Sequence, residues 1–481
     1  MVSILAFKLK EMKLKYYILV SAFAFTVIGC QKKLELLPQQ ALSDQIVFNS
    51  PSTALSALRG VYSTAQAFDF YGSLPQVIGD YMGNNVDFVG TFPTLQELNN
   101  FSGVSTNTNV SGLWQVHYQV IARANTIVSK IENVEGLGAA EKSQYAAEAK
   151  FLRALAYFQL ANLFAQPYQV SSGSNLAVPL VTADFTGAIE YPSRSTLNQI
   201  HAQIVSDLND AATALPVQYT DAAETRGRAT KGAAFALLSR LYLYREEWAK
   251  AESAARSVLS QGIYATATDY SFYNGNTSED VFTIQNSAID NGRTGNGGWA
   301  AYYNPASLGG RGDAPFSQDL VTAFESEPND KRYSAKISGR ATDGLTHFFT
   351  TKFPDAVNNS DNAPVIRTTE VYLNLAEALA HQNATPSAEA ITILNTRIRN
   401  RAGLLAKTVA TQQALIAALL IERRKELAFE GHSRMDLLRN KQPLRSGNAA
   451  AAFGGVKTIL PIPQREIDNN VGLQGQQNAG Y

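Results

Sequence analysis

The sequence predicts a mainly α-helical protein with tetratricopeptide-like helical hairpins, a large irregular ligand-binding face and few short strands. Long segments place apolar residues at helical spacing. Two of these segments carry small residues where paired helices would approach each other closely. Two further segments are rich in glycine, asparagine and aromatic residues without periodicity. Such a composition favours loops held on a helical scaffold, where binding sites usually lie.

The start of the chain predicts an export signal. Lys13 and Lys15 precede an uncharged, mostly apolar run at residues 16–28, which is shorter than the roughly 20 residues that a membrane-spanning helix needs. We therefore interpret residues 1–29 as a lipoprotein signal peptide, with Met12 as an alternative start.

Cys30 is the only cysteine in the chain, and it follows Gly29 at the end of the apolar run. A small residue before a cysteine in this position resembles a bacterial lipobox, so we expect the Cys30 thiol to carry a lipid. The alternative is a single buried thiol. With a single cysteine, the chain can form neither an internal disulfide nor a cysteine-based metal site. Residues 30–50 are polar, contain Pro38 and are predicted to form a tether.

The composition favours a soluble exported protein with an uncharged ligand. The chain has 41 basic and 41 acidic residues, so it lacks the charge excess that nucleic-acid or anionic-membrane binding requires. Only 17% of the residues are charged. We predict that residues 51–481 form a single body, because a chain of this length can bury an ample core.

The spacing of apolar residues predicts a series of helices in the first half of the chain. Ser195 is a candidate cap for the last of them, and Pro216 is expected to stop it. The predicted helices lie at residues 54–62, 113–136, 141–164 and 197–215.

Two helical hairpins are predicted further along. Residues 230–261 match the offsets of a tetratricopeptide repeat, with Ala251 and Ala255 as small contact residues and Gly262 as the stop. Residues 371–403 form a second, looser hairpin. Two repeats are fewer than the three or so that are stable alone, so we expect them to be part of a larger helical body.

Two loop-rich insertions interrupt this body, at about residues 68–112 and 264–361. Both combine glycine and asparagine with many aromatic residues. Short extended segments are predicted at residues 176–181, 281–285 and 347–353. The Arg311-Gly312-Asp313 tripeptide in the second insertion is interpreted as a turn.

Motifs along the whole chain closely resemble those of the SusD-like (RagB/SusD) outer-membrane lipoproteins. Each motif alone is moderately specific, but their number and common order are typical of that family. They are ALRGVY at 57–62, RAN at 123–125, EAKFLRA at 148–154, GRATKGA at 227–233, ERRKELAFEG at 422–431, LPIP at 460–463 and NAGY at 478–481.

The resemblance implies a non-catalytic lipoprotein of the outer membrane, anchored by an acyl chain such as palmitate at Cys30 and facing the cell surface. Such a protein binds an oligosaccharide or peptide nutrient and serves as a lid on a SusC-like TonB-dependent transporter. No cofactor is implied. Two alternatives stay open: a helical glycoside hydrolase, and a tetratricopeptide-type scaffold for protein interactions.

The sequence departs from the family pattern in two places. Ser433, Arg434 and Met435 stand where the family usually has an arginine and an aromatic residue, which we interpret as a packing variation. Lys32 and Lys33 follow the anchor, whereas relatives exported to the surface often carry acidic residues there. Both faces of the outer membrane are therefore compatible with the sequence.

Acidic residues near the end of the chain raise the hydrolase alternative. Glu422, Glu426 and Glu430 recur every four residues, so they lie on one face of a helix. A glycosidase needs two carboxyl groups on opposite sides of the scissile bond. With Arg423 and Arg424 between them, these carboxylates are predicted to form ion pairs with neighbouring helices. The five histidines show no metal-binding spacing, so no metal site is predicted.

The aromatic residues of the insertions are the best candidates for ligand contacts. Sugars offer C–H faces to aromatic rings and hydroxyl groups to amides and carboxylates, so a glycan site needs both kinds of side chain. The alternative is that these rings hold the loops against the body. The predicted ligand-binding residues are Trp299, Tyr302 and Tyr303 in the second insertion and Asp80, Asn84, Asn85 and Asp87 in the first.

Overall fold

The first half of the chain is a succession of helices, as its apolar periodicity predicts. The computed structural model describes residues 47–292 and 297–481. The predicted signal peptide, Cys30 and tether residues 30–46 lie outside the described residues. The helices of this half are α1 (Pro51–Ala65), α2 (Leu74–Tyr81), α3 (Pro93–Asn99), α4 (Thr108–Lys130), α5 (Ala139–Phe164), α6 (Tyr168–Ser171), α7 (Leu197–Ala214), α8 (Ala222–Gly227), α9 (Lys231–Tyr244) and α10 (Trp248–Leu259).

The second half alternates irregular segments with further helices. A π-helical stretch, Ile393–Arg399, continues α14. The helices are α11 (Trp299–Tyr303), α12 (Gln318–Glu325), α13 (Thr368–Gln382), α14 (Ala388–Thr392), α15 (Gln412–Leu427), α16 (Ser433–Arg439) and α17 (Gln464–Asn469).

The long helices pack side by side in an array that runs α4, α5, α7, α9, α10, α13 and α15. Within it, α9 and α10 form the predicted tetratricopeptide-like hairpin, in which Ala251 and Ala255 are fully buried. Helix α5 is the centre of the first half, with Phe151, Tyr157 and Phe164 inaccessible to solvent. The mainly helical fold class with such hairpins is confirmed, and residues 50–481 form one compact unit.

In the described part of the chain, three short antiparallel strand pairs lie between the helices: β1 (Leu176–Pro179) with β2 (Arg194–Thr196), β3 (Asp280–Ile284) with β6 (Ala363–Arg367), and β4 (Lys336–Arg340) with β5 (Thr346–Thr350). In the central pair, Phe282 faces Ile366 across the ladder. The predicted extended segments are thus confirmed, with ends that differ by a few residues.

Two local predictions need correction. Thr196, not Ser195, caps α7: its hydroxyl accepts from the Gln199 N–H at 3.2 Å, and Gln199 Oε1 accepts from the Thr196 N–H at 2.8 Å. The first insertion also contains more helix than predicted. Every residue of α2 is buried, so its apolar residues show no amphipathic periodicity, and Pro75 in its first turn favours helix initiation.

Candidate functional site

A cleft of about 850 Å³ opens where the two predicted insertions meet. We call it the aromatic cleft. Its lining combines rings with amide and hydroxyl groups, and Arg311 is the one charged side chain among the described lining residues. The residues that define it are Phe68, Phe92, Thr94, Asn109, Asn291, Tyr302 and Arg311.

Arg311 lies between two aromatic rings. Its guanidinium carbon is 4.0 Å from the ring centroid of Phe92 and 4.6 Å from that of Tyr302. Tyr302 in turn stacks on Phe68, with 6.1 Å between the ring centroids and 25° between the planes. Aromatic faces attract a cation, so these four side chains hold one another in place.

Local sequence fixes each wall of the cleft. Phe92 directly precedes Pro93, which begins α3, and its side chain is 54% exposed. Gly312 has a φ of +70°, which makes the predicted turn, and the Arg311 N–H donates to the Ala301 carbonyl at 2.8 Å. Asp313 accepts from Arg311 Nε at 2.8 Å, which orients the guanidinium.

Polar groups of the cleft are oriented by their own hydrogen bonds. Asn107 caps α4 by accepting from the Asn109 N–H at 3.0 Å, which places Asn109 in the first turn. The Asn109 amide then donates to the Thr94 hydroxyl at 3.1 Å. Opposite them, the Asn291 amide donates to the Ser287 carbonyl at 2.8 Å. Amides held in this way are suited to hydrogen-bond a ligand without a large loss of side-chain entropy.

Of the three predicted aromatic residues, the structure places Tyr302 at the cleft. Burial raises the pKa of Tyr302 to about 12, although Arg311 lowers it, so its hydroxyl is a donor at neutral pH. Trp299 packs edge-on against Phe353 in the interior. The Tyr303 ring is also in the interior, where its hydroxyl donates to Asp80 Oδ2 at 2.7 Å.

The four predicted polar residues lie away from the aromatic cleft. Asp80 is fully buried, and burial raises its pKa to about 6 despite hydrogen bonds from Tyr303 and Asn85. Asn84 and Asn85 accept from Arg424, through the Asn84 carbonyl and the Asn85 side chain. The exposed Asp87 carboxylate accepts from the N–H of Gln318 at the start of α12.

The sequence did not single out the other side chains that form the cleft. Phe92 was one of many rings in the first insertion, and Arg311 was assigned only to a turn. The local sequence does not mark Phe92, because Val89 lies three positions before it and Leu95 three positions after it, as for a residue packed in the interior. No pattern connects Phe92 with Arg311, since their contact is set by the tertiary fold.

The carboxylates that suggested a hydrolase lie in the interior, in a network that we call the charged core. Arg367 Nε lies 2.8 Å from Glu430 and Lys352 Nζ 2.9 Å from the same side chain, while Arg332 Nη2 lies 2.5 Å from Glu422. The core consists of Glu279, Glu327, Asp330, Arg332, Lys352, Arg367, Arg399, Arg401, Glu422, Lys425, Glu426 and Glu430.

The predicted ion pairs of Glu422, Glu426 and Glu430 are therefore confirmed, but they are not all contacts between helices. Glu430 lies beyond the end of α15, and Arg367, which pairs with Glu426 and Glu430, is the last residue of β6. Burial alone would raise the pKa of Glu426, but Arg401 and Arg367 outweigh it and hold the value at about 2. A carboxylate so strongly stabilised in its charged form is a poor proton donor at neutral pH.

Within residues 47–292 and 297–481, no cluster of three or more histidine, cysteine or acidic side chains is arranged to hold a metal ion. The helices of the same ranges include none with the length and hydropathy to span a bilayer.

Two family models match the chain. The first, SusD-like_3, is described as starch-binding and associating with the outer membrane, and it matches residues 34–243. The second is the SusD family model, which matches residues 325–458.

Full-length relatives are similar over nearly the whole chain. The SusD-like proteins P25 and P2 of Formosa agariphila are 25% and 26% identical; the alignments cover 98% and 97% of this chain and 100% of each relative. Among solved structures, a SusD superfamily protein of Bacteroides thetaiotaomicron has a TM-score of 0.80 at 28% identity, covering 89% of this chain and 99% of that one. A laminarin-binding SusD-like protein has a TM-score of 0.72 at 26% identity, covering 90% of this chain and 100% of that one.

Proposed function

We propose that this chain, which belongs to the SusD family, binds an oligosaccharide in the aromatic cleft and passes it to a SusC-like TonB-dependent transporter. In this proposal the protein is not an enzyme, and a lipid on Cys30 holds it at the outer membrane, facing the cell surface. The family model described as starch-binding and the similar laminarin-binding structure support a glycan as the ligand.

The observation that carries the proposal is the half-exposed ring of Phe92 over Arg311. A large aromatic side chain that is 54% exposed loses the benefit of burial unless something covers it. The neighbouring Asn109 and Thr94 supply hydrogen-bonding groups at the same surface. An apolar face beside fixed polar groups matches a sugar ring, which has both kinds of surface.

The charge of the cleft favours a neutral ligand over a charged peptide. The Asp313 carboxylate pairs with Arg311 at 2.8 Å, so the positive charge is largely balanced. Asp313 also accepts from the Thr342 hydroxyl at 2.7 Å, which holds the carboxylate in position. A balanced, preorganised ion pair attracts no particular charge but can still bond to hydroxyl groups.

Removal of the exposed ring tests the site. Phe92→Ala should weaken glycan binding about tenfold, the loss expected when one stacking contact of about 1.4 kcal/mol is removed. Isothermal titration calorimetry with laminarin and with soluble starch measures this change. The matched control is Phe185→Ala, which removes a ring that is 72% exposed and does not line the cleft. Equal losses in both variants would contradict the assignment of the cleft.

The two alternatives predict different outcomes of the same titrations. A hydrolase would shorten a fluorescently labelled glycan during incubation, whereas a binding protein leaves its length unchanged. A protein-interaction scaffold would bind neither glycan. Co-purification with the transporter from outer membranes tests the partner, and a Cys30→Ala variant should then appear in the soluble fraction.

A further inference from the structure

A second cavity, of about 470 Å³, lies beside the aromatic cleft. One wall is a face of α1 that includes Leu55, Leu58 and Tyr62. The opposite wall is α8 together with Ile284, at the end of β3. We call it the α1 cavity.

The two cavities meet at the end of α1. Ser63 lines both of them, and the exposed loop that follows β3 contributes Asp290 to the α1 cavity and Asn291 to the aromatic cleft. The Gln66 side chain donates to the Gln285 carbonyl at 2.7 Å, which ties the end of α1 to the same loop. Ser63 is exposed, so a ligand that extends out of the cleft would pass over this residue to reach the α1 cavity.

The lining of the α1 cavity is partly apolar, like that of the cleft, but it carries more charge: Arg59, Asp221, Glu224, Arg228 and Asp290 are among its residues. The Tyr62 hydroxyl donates to Glu148 at 2.7 Å and accepts from the Ala229 N–H at 2.9 Å, so the ring is fixed. Arg228 pairs with Glu148 at 2.6 Å and lies 4.4 Å from the Tyr219 ring centroid. Apolar walls beside fixed carboxylate and guanidinium groups can contact both the C–H faces and the hydroxyl groups of sugar units.

We propose that the α1 cavity holds the distal units of an oligosaccharide whose first units occupy the aromatic cleft. This inference rests on the proposed function and extends it, because it makes the ligand an oligomer longer than the cleft alone accommodates. Affinity then rises with ligand length until both cavities are filled. A longer ligand also has more groups that must leave the surface together, which slows dissociation.

The test is a titration with laminari- and malto-oligosaccharides, from the disaccharide to the octasaccharide, using the complete mature protein. Ala223→Trp places a large side chain in the α1 cavity from an exposed position of α8. This variant should keep the affinity of the wild type for the shortest ligand that binds and lose about tenfold for the longest. Ala222→Trp is the matched control, since Ala222 is equally exposed but does not line the cavity.

The outcomes separate the two proposals. The proposal for the α1 cavity is overturned if affinity does not rise with ligand length, or if the Ala223→Trp variant binds the octasaccharide as the wild type does. Neither result contradicts glycan binding in the aromatic cleft. Phe92→Ala should weaken binding at every length. If no oligosaccharide of either series binds, or if Phe92→Ala changes nothing, the proposed function itself fails.

Discussion

The aromatic cleft and the charged core both place arginine side chains against aromatic rings, but they differ in what else surrounds the cation. In the core, Arg367 lies 5.2 Å from the Phe272 ring centroid and also pairs with Glu279, Glu426 and Glu430. In the cleft, Arg311 pairs with one carboxylate and contacts two rings.

Arg367 and Arg311 differ in how many of their hydrogen-bond donors are already bound to protein oxygens, and this decides whether a ligand can bond to them. Each guanidinium nitrogen of Arg367 already donates to a protein oxygen. The buried Nη2 atom of Arg311, in contrast, has no hydrogen-bond partner among residues 47–292 and 297–481. A buried donor left without an acceptor is costly, so a ligand oxygen that reached it would gain binding energy. The following predictions test this contrast.

The largest effect is expected in the charged core. Arg367→Met leaves buried carboxylates without their shared cation, which should lower the free energy of unfolding by about 3–5 kcal/mol. Urea unfolding followed by circular dichroism measures the loss. The control is Arg256→Met, whose exposed pair with Glu389 should contribute less than about 1 kcal/mol. If the two variants lose the same stability, the core is not what holds these helices together.

Acid should weaken the core in a defined pH range. Glu426 in the core and Glu370, which pairs with Arg240, have pKa values of about 2 in the folded protein, against an ordinary value of 4.5. Burial raises both pKa values, but arginines outweigh it, led by Arg401 at Glu426 and by Arg240 at Glu370. A depressed pKa gives stability that is present above pH 4.5 and is lost as the pH falls towards 2. The loss should be on the order of 3 kcal/mol for each group.

Melting temperatures recorded between neutral pH and pH 2 measure this loss. Glu426→Gln should be less stable at neutral pH and should show a shallower decline in acid, because one titrating group is gone. A wild type whose melting temperature is constant across the range would contradict the ion-pair account.

A moderate effect is expected from Arg311→Lys in the cleft. Lysine keeps the charge but lacks the planar guanidinium that stacks between Phe92 and Tyr302, so glycan affinity should fall about fivefold. Stability should fall by about 1–3 kcal/mol, because the side chains of Arg311 and Asp313 are both largely buried and lysine cannot reproduce the hydrogen bond from Nε. Calorimetry and thermal melting measure the two quantities. Arg340→Lys, on the exposed end of β4, is the matched control and should change neither.

These contrasts also show which features the sequence could predict. Helices such as α7 follow from apolar spacing, because one face is buried and the other is solvated. The four-residue spacing of Glu422 and Glu426 suggests ion pairs, but their arginine partners, such as Arg332 and Arg367, are distant in sequence. The sequence does not predict where Trp299, Tyr302 and Tyr303 lie. Positions three and four residues apart share one face of a helix, so their spacing does not distinguish one ring from another.

All three residues are buried, and which ring borders the cleft depends on how the short helix α11 is rotated against the body. That rotation is set by contacts distant in sequence, such as the Trp299 ring on Phe353 and the Tyr303 hydroxyl on Asp80. The Arg311 stack on Phe92 likewise joins the two insertions. Local sequence patterns carry no information about contacts between residues so far apart in the chain. The cleft could therefore be located only from the three-dimensional structure.

The smallest effects are expected when either of two adjacent tyrosines in α11 loses its hydroxyl group. Tyr302→Phe keeps the ring against Phe68 and Arg311 but removes a hydroxyl to which no described residue is hydrogen-bonded, so glycan affinity should fall about twofold to threefold with little change in stability. Tyr303→Phe removes the buried hydrogen bond to Asp80, so stability should fall by about 1 kcal/mol while affinity is unchanged. Paired titrations and urea unfolding measure both variants. A reversed pattern, with affinity lost at Tyr303 and stability at Tyr302, would mean that the ligand surface lies on the other side of α11.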